Sequence, residues 1–403
     1  MKKNLSILAL FLCATACVYP YTPDLDEAPE GILAVDANIS IGDVSTVRVS
    51  SLFSVWPVDR DYSTFDRGFY PGVGGVQVWV EDDAGETYRG VQNQTSPGQT
   101  DGYYYDYYPG SILFTIATEN APADRRYRLC VNTSDAKYTS DWTDVAAPPV
   151  ITGIDFSADD SYVSVNVSLD GGADATGYCL LSYDETWEFH ADYVPSYDVS
   201  VMGPFVRISK GIPDYSRYWC WKSSNNNRLF PVDYTAMSGT GVTSWPLARF
   251  SRKDNRNHRR YCVKVKARTV SKETYRFLKN LETNTGAGDN LFSPTPGELP
   301  SNLHCESDPE RMVLGYVLFT QTTSKRAWLD SRYQQTARLS SLLYPEEDQY
   351  KEFYDSGFLP LEKLLPELQQ EGMGPYGWGS RSCYDCTAAG GTQQKPDFWD
   401  DAE

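Results

Sequence analysis

The chain has 403 residues, of which 54 are acidic and 36 are basic, and its formal net charge is −18. An acidic surface repels phosphate backbones, so the charge argues against a nucleic-acid partner. The length predicts two domains, or one domain with a large elaboration, each able to bury its own core.

The N-terminus has the features of a secretory signal. Lys2 and Lys3 precede an apolar stretch, residues 5–12, that is too short to span a bilayer. Small residues at 14–16 stand directly before Cys17. This order is typical of bacterial lipoproteins, because the processing peptidase cleaves before the cysteine that carries the lipid.

The mature chain is therefore predicted to begin at a lipid anchor. We expect residues 1–16 to be removed as the signal peptide and Cys17 to be lipidated. Residues 17–29, rich in proline and acid, would tether the lipid to the folded part. No later stretch approaches the roughly 18 apolar residues of a membrane helix, so the lipid is the expected membrane attachment.

Residues 30–148 show short strands separated by turns. Val78 and Val80 alternate with polar or larger side chains, and residues 111–117 and 127–133 are further strand candidates. Such a pattern is typical of a β-sandwich. We predict an N-terminal sandwich domain of the immunoglobulin, fibronectin or prealbumin kind.

A second β-rich region, residues 149–403, is predicted to follow a proline-containing boundary at 146–150. Residues 163–169 alternate strictly between apolar and polar side chains, as a half-buried strand does. In the strand predicted at 261–267, the alternation places Cys262 on the polar side. The fold class expected for the whole chain is mainly β, with a few helices in this larger domain.

Two helices interrupt the strand pattern. Ser271 is a predicted N-cap for a helix that ends near Gly286. A shorter helix is predicted from Pro345 to Gly357. Its inward-facing side chains would be Tyr350, Phe353 and Tyr354.

A tyrosine-rich stretch at residues 101–110, DGYYYDYYPG, is the candidate ligand-binding surface. Aromatic side chains provide large contact areas for sugar rings or apolar groups. The alternative is a hairpin whose tyrosines pack on their neighbours. The candidate binding residues are Tyr103, Tyr104, Tyr105, Tyr107 and Tyr108.

The C-terminal region contains two cysteines two positions apart, Cys383 and Cys386. They could pair with each other, with Cys305 as the next candidate partner, or could bind zinc together with His304 and Cys305. Thiols outside the cytoplasm tend to oxidise, which favours a disulfide over a metal site. We therefore expect neither a metal nor another cofactor.

The sequence lacks a recognisable catalytic motif. The histidines do not fall in a GxSxG, HExxH or Cys-His pattern, and one of them lies in the basic run at 252–260, which is predicted to be a solvated loop. The adjacent Asp184 and Glu185 are one of the acidic pairs expected by chance in so acidic a chain. These observations predict a protein that is not an enzyme. The histidines are His190, His258 and His304.

Several motifs in one order resemble the Bacteroidota lipoproteins of the domain of unknown function 4249 family. The resemblance covers nearly the whole mature chain. The motifs, after the lipoprotein signal and sandwich pattern, are DETWEF at 184–189, CW at 220–221, SKETYRFLKNLE at 271–282, LFSPTPGELPSNL at 291–303, VLGYV at 313–317 and CYDCTAAGGTQQKPDFW at 383–399.

The resemblance implies a lipid-anchored outer-membrane protein, on the cell surface or the periplasmic face. It implies a non-enzymatic role in nutrient uptake, through binding a ligand or docking on a TonB-dependent outer-membrane channel. It also implies that the last motif is a family signature whose cysteines clasp the C-terminal loop. An adhesin or envelope-structural lipoprotein is the alternative, and a secreted hydrolase is the third possibility.

Overall fold

The computed structural model describes residues 32–52, 75–93, 111–171, 176–235, 241–286, 301–330 and 340–400. Within these ranges the chain is mainly β with a few short helices, which confirms the predicted fold class. The strands are β1 Ile32–Ser40, β2 Val44–Leu52, β3 Gln77–Asp82, β4 Thr87–Gln92, β5 Ser111–Ala117, β6 Arg126–Asn132, β7 Lys137–Ser140, β8 Thr143–Asp144, β9 Val150–Ala158, β10 Tyr162–Asp170, β11 Tyr178–His190, β12 Tyr197–Met202, β13 Phe205–Lys210, β14 Trp219–Asp233, β15 Gly241–Ser251, β16 Arg260–Thr269, β17 Leu303–Cys305, β18 Val313–Thr320, β19 Thr323–Asp330, β20 Leu359–Lys363 and β21 Tyr376–Gly379. The α-helices are α1 Lys272–Gly286, α2 Tyr350–Asp355 and α3 Arg381–Tyr384.

The first sheet has the strand order β17-β7-β6-β3-β4-β5-β2-β1-β18, with β8 beside β6. Alternate residues of most of these strands enter one core, as Val78 and Val80 of β3 do. Both residues were predicted to share a face, and both are buried. The pairing of β1 with β18 is parallel, and the neighbouring pair of β1 with β2 is antiparallel.

Two strands of this sheet come from beyond residue 149. β17 pairs with β7, and β18 pairs with β1. The side chain of Asn302 also joins the two outer strands, because it donates to the carbonyl of Val317 at 2.9 Å and accepts from its N–H at 2.8 Å. The first core is therefore built from residues 30–148 together with β17 and β18, and not from the predicted N-terminal region alone.

The second β-region has a three-stranded sheet, β15-β10-β9, and a four-stranded sheet, β14-β11-β16-β19. Their facing side chains form one hydrophobic core. The alternation predicted at 163–169 is confirmed, since Val163, Val165, Val167 and Leu169 are all buried in that core. The other face of the four-stranded sheet, called the outer face below, bears Thr186 and Glu188 of β11.

The outer face is covered at one end by α1. The predicted N-cap of this helix is confirmed, because the Ser271 hydroxyl accepts a hydrogen bond from the Thr274 N–H at 3.1 Å. Leu278 packs with Leu180 of β11 in a small apolar cluster. The helix ends at Gly286, as predicted.

The second predicted helix is shorter than the sequence indicates. A 3₁₀ turn over Glu347–Gln349 precedes the six residues of α2. Tyr350 is buried and Phe353 contacts the ring of Trp378, but Tyr354 is 36% exposed. The inward prediction is therefore wrong for Tyr354, since so short a helix presents only a narrow face to its neighbours.

The C-terminal segment, residues 340–400, is fastened to the edge of the four-stranded sheet. A disulfide joins Cys220 of β14 to Cys386. Next to it, Trp221 and Thr392 exchange two backbone hydrogen bonds of 2.8 Å. Among the described residues, no helix combines the length and apolar character required to cross a membrane.

Candidate functional site

Two sets of predicted functional residues lie outside the described part of the chain. These are the lipidation site Cys17 and the tyrosine-rich stretch at 101–110, with Tyr103, Tyr104, Tyr105, Tyr107 and Tyr108. Both stay predictions.

The prediction that Cys386 forms a disulfide is correct, but the predicted partner, Cys383, is wrong. Cys386 is disulfide-bonded to Cys220, which lies 166 positions earlier, and Cys383 is a buried free thiol. Cys383 contacts Leu361 and Tyr193 in a separate cluster, while Cys305 is a free thiol in the core of the first sheet. The three candidates are thus in three different apolar environments, so they cannot pair or share one zinc ion.

Cys262 corrects a second expectation. It shares its face with Lys264, as the alternation predicted, yet it is only 2% exposed. Its cross-strand neighbour Trp328 packs under Phe398 and Trp399 of the C-terminal segment. That segment covers this part of the outer face, and burial raises the pKa of the Cys262 thiol to about 11.

A cleft of about 550 Å³ lies near these residues, between the outer face and the C-terminal segment. We call it the C-terminal cleft. Its lining combines indole rings with side chains of both charges, a composition suited to orienting a polar ligand. The lining residues are Glu188, Trp221, Arg259, Arg260, Lys395, Trp399 and Asp400.

One wall of the C-terminal cleft is a single rung of the sheet. Glu188 of β11 is directly opposite Trp221 of β14 on one side and Arg260 of β16 on the other. Because alternate residues of a strand point to the same face, all three side chains project from the outer face. Backbone pairing across three strands therefore sets their spacing.

The other wall is the end of the C-terminal segment. Trp399 is 3% exposed and meets the ring of Trp328 edge-on, with 5.0 Å between ring centroids. The Arg326 guanidinium lies over the Phe398 ring at 4.1 Å. An ion pair between Lys395 and Asp400 links the ends of this stretch.

Two guanidinium groups of the cleft are held against indole rings. Arg259 lies 4.9 Å from the centroid of Trp219, and Arg260 lies 4.6 Å from that of Trp328. Arg259 also donates to the Glu188 carboxylate at 2.5 Å, although its side chain remains 54% exposed. A guanidinium that is stacked in this way loses little further freedom when it binds a carboxylate.

A buried carboxylate anchors the loop that leads to this wall. Asp385 is 1% exposed and accepts hydrogen bonds from Arg217, Arg381 and the Thr387 backbone and hydroxyl, at 2.6–2.9 Å. Burial alone would raise the pKa of Asp385, but these hydrogen bonds outweigh it and hold the pKa well below its usual value. The carboxylate therefore stays ionised and keeps the loop in place.

The glycine pair of the C-terminal motif has a packing role. Gly390 adopts a φ of +82°, which glycine reaches without strain. At Gly391 an added Cβ would lie 2.6 Å from the Cβ of Cys220 and 2.7 Å from the Phe189 ring. Only a residue without a side chain lets the segment approach the disulfide so closely.

The histidines and the acidic pair occupy structural positions. His190 stacks on His258 with 4.4 Å between ring centroids, and burial, followed by the charge of His190, lowers the pKa of His258. His304 pairs with an exposed aspartate at the surface. On β11, Asp184 binds Lys266 on the outer face, whereas Glu185 points into the core.

The basic run at 252–260 is not the solvated loop that its composition predicted. Asn257 and His258 are less than 10% exposed, and Arg256 binds the buried Glu185. The end of this run supplies two cations of the C-terminal cleft. The sequence signals for the cleft were therefore the adjacent arginines at 259–260 and the KPDFWD stretch at 395–400, which are 135 positions apart and reveal no contact by themselves.

The family model described as "Domain of unknown function (DUF4249)" matches residues 18–326. The match ends before residues 383–399, so it leaves the expectation that this stretch is a family signature untested. No curated protein matches the chain. One similar solved structure is a DUF4785 family protein from Legionella pneumophila, with 10% identity, a TM-score of 0.22 and coverage of 53% of this chain. The match spans 56% of that protein, and a TM-score of this size supports no common fold.

Proposed function

Since the chain belongs to the family described as domain of unknown function DUF4249, whose description assigns no activity, we propose a function from the site. The protein is a non-enzymatic lipoprotein of the cell envelope, anchored by lipid on Cys17 at the outer membrane. It binds a ligand in the C-terminal cleft, and it docks on a TonB-dependent channel during nutrient uptake. The cleft supports the ligand-binding part of this proposal, whereas the lipid anchor and the docking part rest on the N-terminal signal and the family resemblance.

The lining of the C-terminal cleft favours a polyhydroxylated ligand that bears carboxylates, such as an acidic oligosaccharide. The half-buried Trp221 offers apolar surface for a sugar ring. The stacked guanidinium of Arg259 can donate to a carboxylate, and the exposed carboxylate of Asp400 can accept from hydroxyl groups. Such a combination fits orientation of a polar ligand rather than burial of an apolar one.

We expect Arg259→Gln to weaken the binding of tri-galacturonate about tenfold, because one charge-assisted hydrogen bond contributes about 1.5 kcal/mol. Isothermal titration with tri-galacturonate, and with maltotriose as the uncharged comparison, measures the change. The matched control is Arg249→Gln. Arg249 also combines an ion pair with a ring stack, to Asp159 and Tyr162, but it does not line the cleft.

If Arg259→Gln and the unmodified chain bind tri-galacturonate with equal affinity, Arg259 does not contact the ligand. Stronger binding of maltotriose than of tri-galacturonate would show that the ligand is a neutral sugar and would contradict the acidic class.

The docking part of the proposal is tested by affinity purification of a tagged protein after gentle detergent extraction. We expect a TonB-dependent channel to co-purify in near-stoichiometric amount. Recovery of the lipoprotein alone, together with normal growth of a deletion strain on each nutrient tested, would instead favour an adhesin or structural role.

A further inference from the structure

We propose that the hairpin formed by β12 and β13 is a membrane-contact element whose apolar tip enters the interface of an anionic lipid surface. Its tip side chains are unusually exposed for apolar groups, with Met202 at 59% and Phe205 at 74%. They are cross-strand partners on either side of the turn at Gly203 and Pro204. This surface is separate from the C-terminal cleft and goes beyond the function proposed for it.

One face of the hairpin is partly buried at its base, so the large exposed apolar side chains of the hairpin lie toward the tip. Val199 and Ile208 face each other across the strands and are both partly buried. At the base, Tyr197 contacts the ring of Tyr376 edge-on with 5.5 Å between centroids. A hairpin held at its base and apolar at its end presents its tip to a partner outside the folded chain.

The turn of the hairpin is open to its surroundings. Gly203 has a φ of +62°, and nothing lies within 4 Å of the position that a Cβ would occupy. The turn therefore leaves space for the tip residues to enter a lipid interface without a rearrangement of the hairpin.

The charge of the hairpin favours lipid headgroups as the occupant. The hairpin, residues 197–210, contains Arg207, Lys210 and one acidic side chain, Asp198, so it is positive by one charge, although the chain as a whole has a net charge of −18. Arg207 lies two residues from Phe205 on the same face of the hairpin, whereas Asp198 and Lys210 lie at its base, away from the tip. Apolar side chains with a cation next to them are suited to an interface in which acyl chains lie beneath anionic phosphates.

The expected lipid anchor would keep the folded part of the chain close to such a surface. Residues 18–31 separate Cys17 from the start of β1, and a fully extended chain of that length spans at most about 50 Å. The hairpin would then add a second, weaker contact to a membrane that the lipid already holds. Membrane contact by the hairpin can be measured on a chain that lacks the lipid, so the result does not depend on whether Cys17 is lipidated.

The test uses the mature chain, residues 17–403, with Cys17→Ser, so that it carries neither signal peptide nor lipid. We expect this chain to float with vesicles of phosphatidylglycerol and phosphatidylethanolamine at low salt, and to float less with neutral phosphatidylcholine vesicles. Adding Met202→Ser and Phe205→Ser should reduce the bound fraction at least fivefold. Arg207→Gln should reduce only the preference for anionic vesicles.

The matched control is the pair Leu365→Ser and Leu368→Ser, because these leucines are also exposed, at 63% and 62%, but lie outside the hairpin. This pair should float like the parent chain, and thermal unfolding should show that every variant is folded. Absence of flotation for the parent chain, or equal flotation of parent and tip variants, overturns the proposal. A tip variant that loses co-purification of a protein but not vesicle binding would assign the tip to a protein partner instead.

Discussion

Replacing both Cys220 and Cys386 with alanine is expected to lower the free energy of unfolding by about 4 kcal/mol. The disulfide joins residues that are 166 positions apart. In the chain-entropy model a cross-link restricts the unfolded chain, and a longer loop gives a larger effect. Equilibrium unfolding in urea, with and without a reductant, measures the difference.

The matched control for the disulfide variant is Cys179→Ala. Cys179 is also fully buried in the core of the second β-region, but it is a free thiol. Its replacement should cost only about 1 kcal/mol from lost packing. The reductant should destabilise the parent chain and the control and leave the double variant unchanged. An equal effect of reductant on all three proteins would contradict a stabilising role for this disulfide.

The same double variant tests how the C-terminal cleft is built. Without the disulfide, the wall that contains Lys395 and Trp399 is held by weaker contacts, including the two hydrogen bonds between Trp221 and Thr392. We therefore expect chymotrypsin to cleave after Phe398, in the same wall, faster than in the parent chain, at temperatures where the variant is still folded. Tri-galacturonate affinity should fall under the same conditions.

Glu185→Ala is expected to lower the free energy of unfolding by about 3–5 kcal/mol. The Glu185 carboxylate is 6% exposed and accepts hydrogen bonds from Tyr261 at 2.6 Å and from Arg256 at 3.1 Å. Burial, followed by the charge of Glu185, raises the pKa of Tyr261 well above its usual value, so its hydroxyl remains a donor. Removing the acceptor leaves that hydroxyl buried without its partner.

The control is the neighbouring Asp184→Ala. Asp184 binds Lys266 at 2.6 Å, but both side chains are about 30% exposed, so water screens the pair. Its loss should change the free energy of unfolding by less than about 1 kcal/mol. Urea unfolding measures the free energy of unfolding of both variants. Equal destabilisation by the two substitutions would show that the burial of Glu185 does not determine how much it stabilises the fold.

The sequence by itself determined the local features of this protein. Apolar alternation placed Val163, Val165 and Val167 on one buried face, because a strand repeats every two residues and its pattern is visible in any short window. The N-cap at Ser271 was equally local, since the hydroxyl and the N–H that it binds are three positions apart. The mainly β fold class follows from many such windows.

Only the tertiary structure decided features that join distant positions. The partner of Cys386 depends on which strand edge the C-terminal segment meets, and the nearby Cys383 is directed into a different apolar cluster. Burial of Cys262 likewise depends on Trp399, 137 positions later, packing over the same face. Alternation assigns a residue to one of two faces of a sheet, but which face is covered is decided by other segments. The C-terminal cleft, whose two walls meet only through these contacts, has no local signature for the same reason.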